Sequence, residues 1–204
     1  MTIALIDYGA GNLQSVHNAL KALGASTVTV TADPDVVARA SRIILPGVGA
    51  FAACMGALSA IDGMVEAMEA RVHDKGAPFL GICVGMQLLA DAGVEHGTYP
   101  GLGWIGGTVQ VINPNDANIK VPHMGWNDVM PVRQHPLIET GEAYFLHSYH
   151  FDVASEANVL ARSDHGGPIV AAVVQGNIAG VQFHPEKSQA YGLAMLTRFL
   201  EWRP

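Results

Sequence analysis

The chain has 204 residues, half of them hydrophobic and 14% charged, with 23 glycines and 11 prolines; this excludes a disordered chain and describes a compact, turn-rich protein, read here as one domain over residues 1–204. Its formal charge of −7 comes from 11 basic residues scattered among 18 acidic ones, so no basic stripe is offered to nucleic acid. The opening "MTIALIDYGAGN" has no cationic segment and reaches Asp7 too early for a signal peptide, and the apolar runs fall short of the ~20 residues that span a bilayer, which points to a cytoplasmic protein with no membrane partner.

In chain order, "TIALI" (residues 2–6) is a continuous apolar run, the mark of a strand covered on both faces. Leu13, Val16, Leu20 and Leu23 then recur at helical spacing. Asn12 is placed to cap that helix, and Gly24 to end it in the left-handed conformation. "STVTV" (26–30) and "RIILPG" (42–47) read as the second and third strands, "MVEAMEARVHDKG" (64–76) as a helix, and "PFLGIC" (78–83) as the fourth strand. This alternation implies parallel βαβ units and a doubly wound sheet, whose functional side chains cluster just beyond the carboxyl ends of its strands.

From Gly103 the pattern changes. Segments 103–112, 120–130, 143–153, 158–163, 168–175 and 177–183 follow one another as strands with only turns between them, the signature of antiparallel hairpins. The fold class is therefore α/β: a three-layer sandwich around a doubly wound, mostly parallel central sheet, with antiparallel hairpins in its second half. A last helix runs from Ser188 to about Trp202, with Leu193, Leu196, Phe199 and Leu200 on one face.

"GICVG" (81–85) is a nucleophile elbow with cysteine in the serine position. The flanking glycines let strand and helix approach while Cys83 takes a strained turn and is lifted out of the sheet. Its sulfur then sits at the amino end of a helix carrying Met86, Leu88 and Leu89, where N–H groups favour a thiolate. A free cysteine usually packs as a small hydrophobe; the apolar strand, both glycines and the helix favour the nucleophile. Cys54, in "AACMGAL", has no such setting and is read as packing. A disulfide between the two is not expected in a reducing compartment.

A nucleophilic cysteine needs a base, and the base an orienting acceptor. "VQFHPEKS" places His184 and Glu186 directly after an apolar strand, with Pro185 holding the segment extended so that the two project to the same side. "HPLIE" (135–139) follows a turn-like stretch and reads as a loop cap. "HSYH" has His147 and His150 three apart, but in a strand they face opposite ways, and no metal site or cofactor is expected. Acyl chemistry also needs oxyanion donors. The "PGVGAF" loop (46–51) leaves the third strand beside the elbow, so the N–H groups of Val48 and Gly49 are candidates together with that of Val84.

With "DYGAGNLQSVHNAL", "PGVGAF", "GICVGMQLL", "GLGWIGGTV", "PHMGWN", "YFLHSYHF" and "GVQFHPEKSQ" in this order, the chain resembles the triad (class I) glutamine amidotransferases, and more narrowly the glutaminase subunits of imidazole glycerol phosphate synthases. The resemblance covers nearly the whole chain. It implies hydrolysis of L-glutamine through a thioester on Cys83, with His184 shuttling the proton and Glu186 orienting it. Positions matching the family's substrate pocket are Gly49, Gln87, Glu95, Ser148 and Tyr149. The resemblance also implies a partner, a (βα)₈-barrel cyclase subunit, to which the ammonia passes for conversion of a nucleotide into imidazole glycerol phosphate and an aminoimidazole carboxamide ribotide in histidine biosynthesis. Tyr8, Gly11, Asn12, Trp126 and Lys187 match its interface. An amidotransferase subunit serving chorismate or another nucleotide would share the triad but lack "YGAGN" and "PHMGWN". A cysteine peptidase of similar topology and a non-enzymatic interaction module are the readings from other classes.

Overall fold

In the computed structural model, which describes all residues except Ser26 and Ala117, the first half of the chain alternates as its apolar runs require. Strand β1 (Thr2–Ile6) leads to helix α1 (Leu13–Ala22), β2 (Thr27–Thr31), α2 (Pro34–Arg39), β3 (Arg42–Gly47), α3 (Phe51–Ser59), α4 (Met64–Glu69) and β4 (Phe79–Cys83). The first residue assigned to the second strand, Ser26, lies outside the described residues. Every residue of β3 and β4 is buried, as strands covered on both faces must be. Two helices escaped the sequence reading: α3, and α2, whose Asp33 cap accepts from the Asp35 N–H at 2.8 Å with Pro34 at its first position.

After β4 come the short helix α5 (Val84–Gln87), the two-residue strands β5 (Ala92–Gly93) and β6 (Tyr99–Pro100), and then β7 (Gly107–Val111), β8 (His123–Pro131), β9 (Gly141–His147), β10 (Tyr149–Val153), β11 (Val159–Asp164), β12 (Pro168–Gln175) and β13 (Ile178–Val181). Helix α6 (Gln189–Glu201) closes the chain. The central nine-stranded sheet has the order β2-β1-β3-β4-β13-β12-β11-β8-β9. Its first five strands are parallel and the pairs from β13 to β9 antiparallel. The expected mixed sheet is present.

Four expectations are corrected. The stretch 143–153 is two strands: it breaks at Ser148, where the chain leaves β9 in the central sheet and enters β10 in a second, four-stranded sheet ordered β10-β7-β5-β6. The Asn12 side chain makes no cap hydrogen bond to α1, although Gly24 ends the helix at φ +77° as expected. The helix read over 64–76 stays α-helical only to Glu69 and then widens into a π-helical turn, Ala70–Asp74. The elbow helix is a single turn buried on all sides, not an amphipathic helix. The core is contiguous from Ile3 to Trp202, with Phe51, Phe79, Phe145, Phe151, Phe183 and Phe199 among its largest side chains. Among the described residues no single helix is long and apolar enough to cross a membrane.

Candidate active site

Strand β4 ends at Cys83 and α5 begins one residue later, so the change of direction falls on Cys83, at φ +55° and ψ −113°. A side chain held there costs about 1–3 kcal/mol, and tight packing holds it. A Cβ at Gly81 would lie 2.5 Å from the Gly85 carbonyl oxygen, and one at Gly180 would lie 2.5 Å from Met86 Cγ. Glycine is required wherever α5 touches the sheet. Because α5 is one turn long, what it offers beside Cys83 is the first N–H groups of that turn, which have no intrahelical acceptor. The N–H of Val84 is the first of them.

The buried Cys83 lies at the wall of a cavity of about 180 Å³, lined also by Val48, Gly49, Val84, Gln87, Glu95 and His184. His184 leaves β13 in extended conformation, but Pro185–Lys187 form a 3₁₀ turn where an extended segment was expected. Proline suits the first position of such a turn. The turn swings Glu186 back so that its Oε1 lies 2.9 Å from His184 Nδ1, with both side chains almost fully buried, at 3% and 1% exposure. Burial opposes a charge on His184, yet hydrogen bonding to Cys83 and Glu186, and their charges, outweigh it and raise its pKa to about 9. The second carboxylate oxygen, Glu186 Oε2, is buried without a partner, so the carboxylate acts through the imidazole alone. Among the described residues no three His, Cys, Asp or Glu side chains are placed to hold a metal ion.

The loop after β3, the candidate source of oxyanion donors, is tied from below and from behind. Buried Tyr8 donates its hydroxyl to the Pro46 carbonyl at 2.7 Å, and the Cys54 thiol donates to the Val48 carbonyl at 3.4 Å. In a trans peptide the N–H opposes the carbonyl, so the Gly49 N–H points away from Cys54 and α3. Gly49 has φ +111°, and a Cβ built on it would meet nothing within 4 Å. Burial pushes the Cys54 thiol up, and its hydrogen bonds to Tyr8 and to the Val48 carbonyl offset that only in part, which suits the packing role read for it.

Each residue matched to the substrate pocket lines this cavity: Gly49, Gln87, Glu95, Ser148 and Tyr149. Two are already partly engaged. Gln87 Nε2 donates to the Tyr149 carbonyl and to Gln182 Oε1, both at 2.9 Å, leaving its own oxygen for a ligand. Glu95 Oε2 accepts from the Phe51 N–H at 2.9 Å, at the start of α3, leaving Oε1. Ser148 and Tyr149 reach the cavity because the chain crosses between the two sheets there.

The residues matched to the interface separate. Trp126 and Lys187 are exposed, the lysine Nζ 5.9 Å from the centre of the Tyr144 ring. Gly11 and Asn12 are half-buried, Gly11 at φ +109° against Pro46. Tyr8 is corrected: at 5% exposure it is no surface residue, and its hydroxyl anchors the loop after β3 at Pro46. His135 accepts from the Leu137 N–H at 3.3 Å, the loop cap expected of it.

Sequence reasoning assigned no role to four buried or half-buried polar residues: Gln182, His147, His123 and Asn127. Gln182 is fully buried beside Cys83, and a glutamine in an otherwise apolar strand was its signal. His147 donates from Nδ1 to the Tyr149 carbonyl at 2.8 Å and accepts at Nε2 from His123, 3.0 Å away. Asn127 in turn donates to His123 Nε2 at 2.9 Å. Burial pushes His147 down to about 3 and His123 down to about 4, so both rings are neutral and the chain of donors has one direction.

The family model for class-I glutamine amidotransferases matches residues 4–202. A relative from Zymomonas mobilis called imidazole glycerol phosphate synthase subunit HisH is 61% identical over 206 residues, all of this chain and 97% of that one. A relative of the same name from Caulobacter vibrioides is 55% identical over 213 residues, all of this chain and 99% of that one. A solved glutamine amidotransferase superposes with a TM-score of 0.76 at 22% identity, covering 98% of each chain, a likeness of fold. Identity above one half along the entire length is the stronger statement, and on it the chain belongs to the class-I glutamine amidotransferases.

Proposed function

We propose that the chain is the glutaminase subunit of an imidazole glycerol phosphate synthase, hydrolysing L-glutamine to L-glutamate and ammonia for a cyclase subunit in histidine biosynthesis. The observation that carries the chemistry is His184 held between buried Glu186 and Cys83 at one cavity. Cys83 attacks the side-chain amide carbon, and the charge that develops on the amide oxygen is met by the Val84 N–H and by the loop N–H groups of Val48 and Gly49. Each such donor contributes about 2.7–4 kcal/mol. His184 gives its proton to the departing ammonia. It then takes one from the water that attacks the glutamyl thioester, and Glu186 keeps the ring oriented through both steps. No step requires a cofactor. The free oxygens of Gln87 and Glu95 suit the donors of an amino acid, and the cavity has room for one small molecule.

The partner reading is supported by what surrounds the cavity mouth. Val48 and Leu146 line the cavity and are also exposed, and Met124 and Trp126 extend the exposed apolar area along β8. Met124 pairs with Leu146, and Trp126 with Tyr144, across β8 and β9. A barrel-shaped cyclase seated there would receive ammonia before bulk water protonates it, with Trp126, Lys187, Gly11 and Asn12 at the contact. Such a heterodimer would work in the cytoplasm, with neither nucleic acid nor membrane taking part. The open space at Gly49 suits an oxyanion loop that turns productive only when the loaded partner docks. Glutaminase assays of the chain alone, with the cyclase, and with the cyclase and its nucleotide test this: the rate rises on addition of both, and a rate indifferent to them overturns the partner-gated reading. Glutamine turnover that survives Cys83→Ala overturns the reaction itself.

A further inference from the structure

The hydrogen bonds behind the nucleophile have a fixed polarity. A backbone carbonyl only accepts, so the Gln87 atom 2.9 Å from the Tyr149 oxygen is its amide nitrogen. The second N–H of that nitrogen goes to Gln182 Oε1, also at 2.9 Å. Gln182 is thereby turned with its own amide nitrogen toward Cys83 Sγ, 3.8 Å away. The carbonyl that sets this direction also accepts from His147, so it is held from both sides. Gln182 is fully buried and its backbone N–H is bonded to the Ala171 carbonyl. It lies directly after β13, two residues before His184. Its side chain has no freedom to serve another partner.

An N–H aimed at sulfur bonds a thiolate more strongly than a thiol. We propose that Gln182 is the hydrogen-bond donor that stabilises the Cys83 thiolate and fixes its Sγ for attack, and that Gln87 is a positioning residue which sets the direction of the Gln182 amide. This rests on Cys83 being the nucleophile. Gln182 acts on the resting thiolate: as the S–C bond to the amide carbon forms, negative charge leaves sulfur for the oxygen and the bond to Gln182 weakens. Its contribution is to the fraction of enzyme ready to react. Because nucleophilicity falls with thiol basicity, at a Brønsted coefficient of about 0.4–0.5, removing the donor has two opposed effects. Fewer sites are ionised at neutral pH, but each ionised sulfur reacts faster.

That opposition gives the test. Alkylation of Cys83 by iodoacetamide is followed from pH 5 to pH 10 on the full chain, with peptide mass spectrometry separating Cys83 from Cys54. Other titratable or charged groups facing Cys83 are Tyr8, Cys54, Glu95, His147, His184 and Lys187, with Glu186 behind His184, all left in place. In Gln182→Met, which keeps volume and loses the donor, half-maximal alkylation moves upward by about one pH unit, the scale of one weak charged hydrogen bond. The high-pH plateau rises about threefold. Gln182→Glu moves the midpoint further in the same direction. An unchanged midpoint, with or without a lower plateau, overturns the proposal and leaves Gln182 as packing. A measurement free of any Gln182 variant runs beside it: in the unsubstituted chain, the ¹⁵N side-chain amide signal of Gln182 titrates with the Cys83 midpoint and ceases to do so in Cys83→Ala. An amide signal indifferent to Cys83 overturns the proposal equally. Glutamine turnover and its loss in Cys83→Ala report separately on the underlying reading, so failure of either is told from failure of the other.

Discussion

Gly85 lies so close to Leu45 that a Cβ on the glycine would stand 1.9 Å from the leucine carbonyl oxygen. That oxygen belongs to β3, a fully buried strand hydrogen-bonded between β1 and β4, and it cannot yield alone. Gly85→Ala must therefore lift α5 off the sheet and carry Cys83 with it. The expected cost is about 3 kcal/mol in urea unfolding, with glutaminase activity lost. Gly56→Ala is the control: exposed within α3, with nothing near its Cα, it gains about 0.5–1 kcal/mol. A Gly85→Ala protein as stable as the parent would mean that the close approach is not maintained in solution.

The strain at Cys83 is expected to be visible in two inactive variants. Alanine keeps the side-chain clash at φ +55°, whereas glycine relieves it at some cost in chain entropy. Cys83→Gly should be more stable than Cys83→Ala by about 1 kcal/mol, while both lose glutamine hydrolysis and both still bind the cyclase, since the elbow survives. Equal melting temperatures for the two would show that the turn holds no strain.

The elbow was legible because its demands are local: glycine where backbone meets backbone, an apolar strand before it, and a cysteine between. His184 and Glu186 were legible through the strand before them, although the turn that joins them was not, because Pro185 fits either an extended segment or a helical start. The break at Ser148 was hidden. Residues 143–153 keep the same strand character on both sides of it, and only pairing of β9 with β8 and of β10 with β7 divides them. Tyr8 was misplaced for a similar reason, since its burial depends on Pro46, 38 positions along the chain. Contacts at that separation leave no periodic trace.

His184 keeps its proton to about pH 9 in the fold, against about 6.5 for the free side chain. A raised pKa means that the folded state holds the proton more tightly. The stability this supplies is complete below about pH 6.5, falls as pH rises from there to about 9, and is absent above. Glu186→Gln removes part of the pull. The difference in unfolding free energy between parent and variant should therefore be largest near pH 6 and narrow by on the order of 1 kcal/mol by pH 10. Chemical denaturation at both pH values measures it. A difference that widens with pH would mean that His184 is buried neutral, and that it enters the reaction as a base with no proton to give.

Tyr8 and Trp126, which the family resemblance places together at the interface, should separate loop anchoring from docking. Tyr8→Phe removes the hydroxyl from the Pro46 carbonyl and leaves a buried acceptor unpaired, a loss of about 1–3 kcal/mol in stability. If about 1.4 kcal/mol of that reaches the transition state through the oxyanion loop, kcat falls about tenfold, and the affinity for the cyclase is unchanged because the ring is buried. Trp126 has the opposite character. It is 47% exposed, its ring edge-on to Tyr144 at 6.3 Å, so Trp126→Ala leaves folding stability within about 0.5 kcal/mol. As an aromatic anchor at a docking face, it should cost the complex at least about 2 kcal/mol, a Kd raised roughly thirtyfold. Titration calorimetry with the cyclase and steady-state kinetics on both variants distinguish the outcomes. A Tyr8→Phe chain that binds the cyclase weakly at full kcat would return Tyr8 to the interface, and a Trp126→Ala chain that binds normally would move the docking face elsewhere.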